Sequence, residues 1–125
     1  MDLKLWFRNT FYWIFSNRFF ENEKIVNDAI QFAVEYPYPQ SKAAFRNQVM
    51  AIAGFNCLEE LPAITSETMI ICGKEDLLFP PEESAKLLQT IPGASFSLIE
   101  NAAHSIHMEN PRAFTDCVLN FLNNC

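Results

Sequence analysis

Glycine and basic residues are scarce in this sequence of 125 residues. Its three glycines, Gly54, Gly73 and Gly93, stand too far apart to form the G-x-S-x-G turn that presents a nucleophilic serine. Nine basic residues against fifteen acidic ones give a formal net charge of -6, which repels the phosphate backbone of nucleic acids. We therefore expect no nucleic-acid partner, and no serine nucleophile of this kind within the chain.

The four cysteines lack the spacing of a metal site. Cys57, Cys72, Cys117 and Cys125 form no CxxC pair, and no histidine stands near them at ligand spacing. The sequence therefore predicts no metal and no cofactor. Cys72 lies in an apolar run, where a small buried thiol is expected, and reduced thiols indicate a cytoplasmic protein.

Long apolar runs are missing as well. Arg8 interrupts the aromatic N-terminal stretch, whose uncharged segments fall short of the roughly 20 apolar residues that cross a bilayer. No small-residue cleavage site follows, so we expect neither a signal peptide nor a membrane span. A role at a membrane surface would rest on these aromatics alone, and the acidic balance disfavours anionic lipid.

Hydrophobic residues make up 50% of the chain, which favours a folded domain. Residues 1–56 and 57–125 differ in pattern. In the first region, apolar side chains recur at helical spacing around Phe11, Ala29 and Phe45, and Asp2 and Ser41 are candidate N-caps. This region is predicted to form three helices and no strand.

The second region alternates strand and helix patterns. Residues 68–72 are a short apolar strand ended by Gly73, and Pro81 with the acids after it opens a helix. Residues 94–99 predict a second strand, and Pro111 starts a last amphipathic helix. The pattern is β-α-β-α, so the predicted class is α/β with two parallel strands and a right-handed crossover.

An acid and a histidine follow the two strands, Asp76 after the first and His104 after the second. Because the carboxyl ends of adjacent parallel strands share one edge, we expect these residues to meet there. A carboxylate can accept the imidazole Nδ1 hydrogen and leave Nε2 to take a proton from a hydroxyl. The alternatives are that Asp76 only forms a turn, that Glu75 is the acid, or that His104 is a structural histidine.

Two segments of the chain resemble the C-terminal end of the α/β-hydrolase family. They are TMIICGKEDLLFPPEES from residue 68 and IPGASFSLIENAAHSIHMENPRAFTDCVLNFL from residue 91. In that family a G-x-x-D turn carries the triad acid and a later loop ends in the triad histidine. The resemblance implies these roles for Asp76 and His104. Residues 1–56 resemble the later part of the lid found in the subgroup of this family that includes enol-lactonases and esterases. Residues 57–125 resemble the C-terminal part of the family's core.

The resemblance implies a C-terminal fragment of a serine hydrolase for carboxylic esters, thioesters or lactones, with the nucleophile upstream. A one-domain α/β enzyme has about 200–250 residues, so we expect no activity from this chain alone. The expected partners are a small acyl or lactone substrate and the N-terminal half of the enzyme. The alternative is a non-catalytic interaction module, which forms a homo-oligomer or pairs with that half.

Two further expectations concern the surroundings of the proposed site. Trp6, Phe11 and Trp13 are candidates to line an apolar substrate pocket, although helix packing explains most such aromatics. Ala103 stands where the family usually has Gly, and would strain the loop if that position needs a positive φ. His107, the other histidine, is expected to pack beneath the loop.

Overall fold

The computed structural model describes residues 2–124, which form six α-helices, two short 3-10 helices and two strands. The α-helices and strands are α1 (Leu3–Ile14), α2 (Glu23–Val34), α3 (Lys42–Ala53), β1 (Met69–Gly73), α4 (Pro81–Thr90), β2 (Ser95–Ile99), α5 (Ile106–Glu109) and α6 (Pro111–Leu122). The 3-10 helices are Asn17–Glu21 and Leu61–Ala63. The predicted order of three helices followed by β-α-β-α is confirmed.

Two helices of the first region, α1 and α3, begin at the predicted caps. The Asp2 carboxylate accepts from the amides of Lys4 and Leu5, and the Ser41 hydroxyl accepts from the amide of Ala44. These bonds satisfy amides that have no partner inside the first turn of a helix. Within residues 2–56 the structure has helices and no strand, as predicted.

A small aromatic and aliphatic core holds α1 against α2. Phe11, Phe15, Val26 and Ile30 are buried together, and the ring of Phe15 stacks on Phe19 with centroids 4.0 Å apart. At the rim, Arg8 of α1 pairs with Glu23 of α2 at 3.0 Å. The hydrogen bond and positive charge of Arg8 lower the pKa of the Glu23 carboxyl.

Helix α3 takes no part in that core. Every residue from 35 to 56 is exposed, including the apolar side chains of Phe45, Val49 and Ile52 that recur at helical spacing. A helix normally buries its apolar stripe. Within residues 2–124, nothing covers this one.

The two strands pair in parallel along their whole length. Cys72 lies opposite Leu98 and Gly73 opposite Ile99. Both strands start one residue later than predicted, and β1 includes the glycine that was expected to end it. Cys72 is buried, as expected for a thiol in an apolar run.

Some short elements were not predicted from the sequence. The 3-10 helices and the four-residue helix α5 are too short to show a hydrophobic period.

None of the helices in residues 2–124 is long and apolar enough to cross a membrane.

Gly73 brings the two strand-end loops into backbone contact. The amide of Lys74 donates to the Ile99 carbonyl at 3.0 Å, and the amide of Glu75 donates to the Ala102 carbonyl at 3.0 Å. A Cβ at position 73 would lie 2.1 Å from the Ala103 carbonyl oxygen, so only glycine fits. The loop after β1 is therefore fixed against the loop after β2.

We expect Gly73→Ala to lower the free energy of unfolding by about 1–3 kcal/mol, because the new methyl group must push two backbone segments apart. Urea denaturation followed by circular dichroism measures the effect. Gly54→Ala is the matched control: its Cβ would meet only the Met50 carbonyl oxygen, at 3.8 Å, and should change stability by less than about 0.5 kcal/mol. Equal stabilities for the two variants would contradict this account.

Candidate active site

The turn after β1 buries the carboxylate of Asp76 and gives its two oxygens different partners. The residue is 7% exposed. Oδ1 accepts from the amides of Leu78 and Phe79, at 2.9 and 3.0 Å, which fixes the carboxylate plane. Asp76 therefore forms the turn that the alternative interpretation proposed, and Oδ2 still points elsewhere.

That second oxygen meets His104 across 28 residues of sequence. Oδ2 of Asp76 lies 3.1 Å from Nδ1 of His104. An ionised carboxylate only accepts hydrogen bonds, so we assign the hydrogen to Nδ1. The imidazole lies nearly parallel to the ring of Phe79, with centroids 5.7 Å apart. As predicted, these two residues meet at the edge of the sheet where both strands end.

The other imidazole nitrogen remains available. The His104 side chain is 39% exposed, and within residues 2–124 Nε2 has no hydrogen-bond partner. A neutral imidazole with the hydrogen on Nδ1 carries its lone pair on Nε2. This nitrogen can accept a proton from a hydroxyl or a water that approaches the exposed side of the ring.

The competing acid and histidine are placed differently. Glu75 is exposed, and only its amide joins the contact between the loops, through Ala102. His107 is also exposed, with its ring edge toward Phe114 at 6.4 Å, so the prediction that it packs beneath the loop is wrong. It lies on α5 instead.

The expected strain at Ala103 is absent. Among the described residues, Asn101 is the one non-glycine residue with a positive φ, at 55°. Asparagine tolerates this conformation better than alanine does. The loop makes its tight turn two residues earlier than expected, so alanine fits at 103. Ala103 is buried, and its backbone carbonyl lies against Gly73.

Sequence analysis missed Glu109, whose carboxylate supports this loop. Oε2 accepts from the amide of Ala103 at 2.7 Å, while Oε1 accepts from the amide and hydroxyl of Ser16 at 2.9 and 2.6 Å. Ser16 lies 93 residues away in sequence. No local pattern in the sequence indicated that these residues meet.

The aromatic candidates separate into two groups. Phe11 belongs to the buried core between α1 and α2. Trp6 and Trp13 stay largely exposed on α1. Contact of Trp6, Phe11 or Trp13 with a substrate stays a prediction.

We expect Asp76→Asn to reverse the tautomer of His104. Asparagine can keep an oxygen toward the amides of Leu78 and Phe79, but then turns its NH₂ group toward the imidazole, so Nδ1 must become the acceptor. Nitrogen-15 correlation spectra of the ring carbon-bound protons distinguish the two forms. Asp116→Asn, an exposed change on α6, is the control and should leave the Nδ1–H form in place. Finding that form unchanged in Asp76→Asn would contradict the assigned hydrogen bond.

Comparison with known proteins identifies the family of this chain. The sequence profile described as alpha/beta hydrolase fold matches residues 7–111. Proline iminopeptidase PfmaB from Pestalotiopsis fici is 38% identical over 55 residues, covering 44% of this chain and 20% of that protein.

Solved structures are similar over nearly the whole chain. A thermophilic esterase from Thermogutta terrifontis has 26% identity and a TM-score of 0.75, covering 90% of this chain and 40% of the esterase. The enol-lactonase from Burkholderia xenovorans LB400 has 25% identity and a TM-score of 0.80, covering 97% of this chain and 45% of the enol-lactonase. The chain thus spans less than half the length of each of these relatives. Because the family profile matches most of its residues, the chain belongs to the alpha/beta hydrolase fold family.

Proposed function

We propose that this chain supplies the acid and the base of a serine hydrolase, and that a serine outside these 125 residues supplies the nucleophile. The observation that carries the proposal is the 3.1 Å contact between Asp76 Oδ2 and His104 Nδ1, beside an exposed imidazole face. The similarity to an esterase and an enol-lactonase supports it.

In the proposed reaction, Nε2 of His104 takes the proton of the serine hydroxyl as its oxygen attacks the substrate carbonyl carbon. Asp76 keeps the imidazole in the correct tautomer and stabilises the imidazolium. The same proton then passes to the leaving group, which departs and leaves an acyl-serine. A water molecule, deprotonated by Nε2, then attacks the carbonyl carbon of the acyl-serine. As the bond between that carbon and the serine oxygen breaks, Nε2 returns the proton to the serine oxygen, which releases the carboxylic acid and restores the enzyme.

The proposed substrates are carboxylic esters, thioesters or lactones, because each has a carbonyl carbon with a leaving group that accepts a proton. Residues 1–56 would act as part of a lid over the substrate, and 57–125 as the C-terminal part of the catalytic core. From the exposed aromatics of residues 1–56, we propose Trp6 and Trp13 for apolar contact with the substrate. The widely spaced cysteines favour reduced thiols and a cytoplasmic location for the complete enzyme.

We expect the chain alone, like its His104→Ala variant, to hydrolyse p-nitrophenyl acetate only slowly, because no serine within residues 2–124 contacts Nε2 of His104. Co-expression with a segment encoded upstream that carries G-x-S-x-G should create activity. In that complex His104→Ala should lower kcat/KM by a factor on the order of 10⁴ or more. Absorbance of released p-nitrophenol measures each rate.

The matched control is His107→Ala, which removes an exposed imidazole three residues away and should leave kcat/KM within about two-fold, since it touches no proposed reacting group. Rapid turnover that survives His104→Ala, in the chain or in the complex, would rule out the proposed role of His104.

A second candidate function is a non-catalytic association module. The exposed stripe on α3, formed by Phe45, Val49 and Ile52, favours it, as does a sheet of two strands whose outer edges are unpaired among the described residues. Parallel sheets are normally covered on both faces and continued at their edges. A second copy of the chain could supply that cover in the absence of the N-terminal half.

We expect the purified chain to sediment as a dimer at concentrations of tens of micromolar, because burial of apolar stripes contributes roughly 25 cal/mol per Å². The double replacement Phe45→Asp and Ile52→Asp should shift it to monomer by placing charges in the stripe. Asn47→Asp adds a charge to the same helix without touching the stripe and should not. A folded wild-type monomer at these concentrations would contradict the association candidate.

A further inference from the structure

The carboxylate of Glu109 links the histidine loop to the end of the first helix. It is half-buried on α5 and accepts three hydrogen bonds. Two come from Ser16, at 2.9 Å from its amide and 2.6 Å from its hydroxyl, and the third comes from the amide of Ala103 at 2.7 Å. Ser16 directly follows the C-cap of α1, and Ala103 directly precedes His104.

A second bond ties the other side of the histidine to the same helix. The amide of Ser105 donates to the carbonyl of Ile14, the last residue of α1, at 3.0 Å. Both chain neighbours of His104 are therefore anchored to α1, one through Glu109 and one directly. The imidazole projects from a loop that is fixed at both ends.

The groups that Glu109 serves are deeply buried. Ser16 is 3% exposed and Ala103 is 1% exposed, so neither amide can turn to water if the carboxylate is lost. Hydrogen bonds to a carboxylate are shorter and stronger than those between two neutral groups. A buried donor without an acceptor costs more than the bond itself contributes, so the backbone at 103 would move.

We infer that Glu109 is a positioning residue for His104: its carboxylate holds the backbone before the histidine against α1, and so keeps Nδ1 in line with Asp76. The inference rests on the proposed function for its catalytic meaning, since Nε2 can reach a serine only when the ring is held. If Glu109 has this role, α1 helps to hold His104 in place, in addition to its proposed role as part of the lid over the substrate.

Glu109→Gln in the full chain tests the inference. Glutamine has one acceptor oxygen, so either the Ser16 side or the Ala103 side must face an NH₂ group instead of an oxygen. We expect the Ala103 amide resonance to shift and His104 to lose its predominant Nδ1–H tautomer, measured by nitrogen-15 correlation spectra of the ring. Glu100→Gln is the control, because Glu100 is an exposed acid paired with Lys74 and should leave both signals unchanged.

A folded Glu109→Gln chain with the wild-type His104 tautomer would overturn the inference, even if its stability fell, because a purely structural role predicts that outcome. If Glu109→Gln does not fold, Ser16→Ala decides. That variant removes one of the three bonds, and we expect the Ala103 amide resonance to shift from its wild-type position and the Nδ1–H tautomer of His104 to lose population. Unchanged signals in a folded Ser16→Ala chain would also overturn it. Neither measurement depends on turnover, so failure of the proposed hydrolase activity would be seen separately.

Discussion

The close approach of two backbone loops at Gly73 is the constraint on which the site depends. The strands fix where each loop starts, but parallel pairing alone leaves the loops free to diverge beyond Gly73 and Ile99. The missing side chain at position 73 allows the Ala102 and Ala103 carbonyls to lie against β1, where the Glu75 amide binds one of them. Because Asp76 and His104 each follow this contact by a few residues, their separation is set by backbone geometry.

The two carboxylate oxygens of Asp76 have different partners because of the same arrangement. One carboxylate oxygen closes the turn through two amides, and the other is left to meet an imidazole. Turn formation and a contact with the histidine were competing interpretations of this residue. In the structure one carboxylate does both, since the turn orients the oxygen that meets His104.

The sequence predicted most of the fold and the two central side chains, for identifiable reasons. Helical spacing and capping residues located α1–α3, and β-branched and apolar runs located both strands to within one residue. The G-x-x-D turn and the position of His104 located the pair. The comparisons confirm the predicted alpha/beta hydrolase family, but their identities do not test the role of either residue.

The sequence could not predict features that depend on long-range contact or on the exact course of a loop. Ser16 and Glu109 meet across 93 residues, and neither belongs to a periodic pattern. The positive φ falls on Asn101 rather than at Ala103, which only the backbone path decides. The exposure of α3 likewise depends on long-range packing, so its apolar stripe predicted a helix but not a partner.

The proposed site depends on one separation, that between the acid after β1 and the imidazole after β2. A crystal structure of the chain, whether as monomer or dimer, measures it directly. We expect a carboxylate oxygen of Asp76 within hydrogen-bond distance of His104 Nδ1, close to the 3.1 Å found here, after allowing for any exchange of segments between copies. Side chains of residues 76 and 104 on opposite sides of the fold would contradict the account.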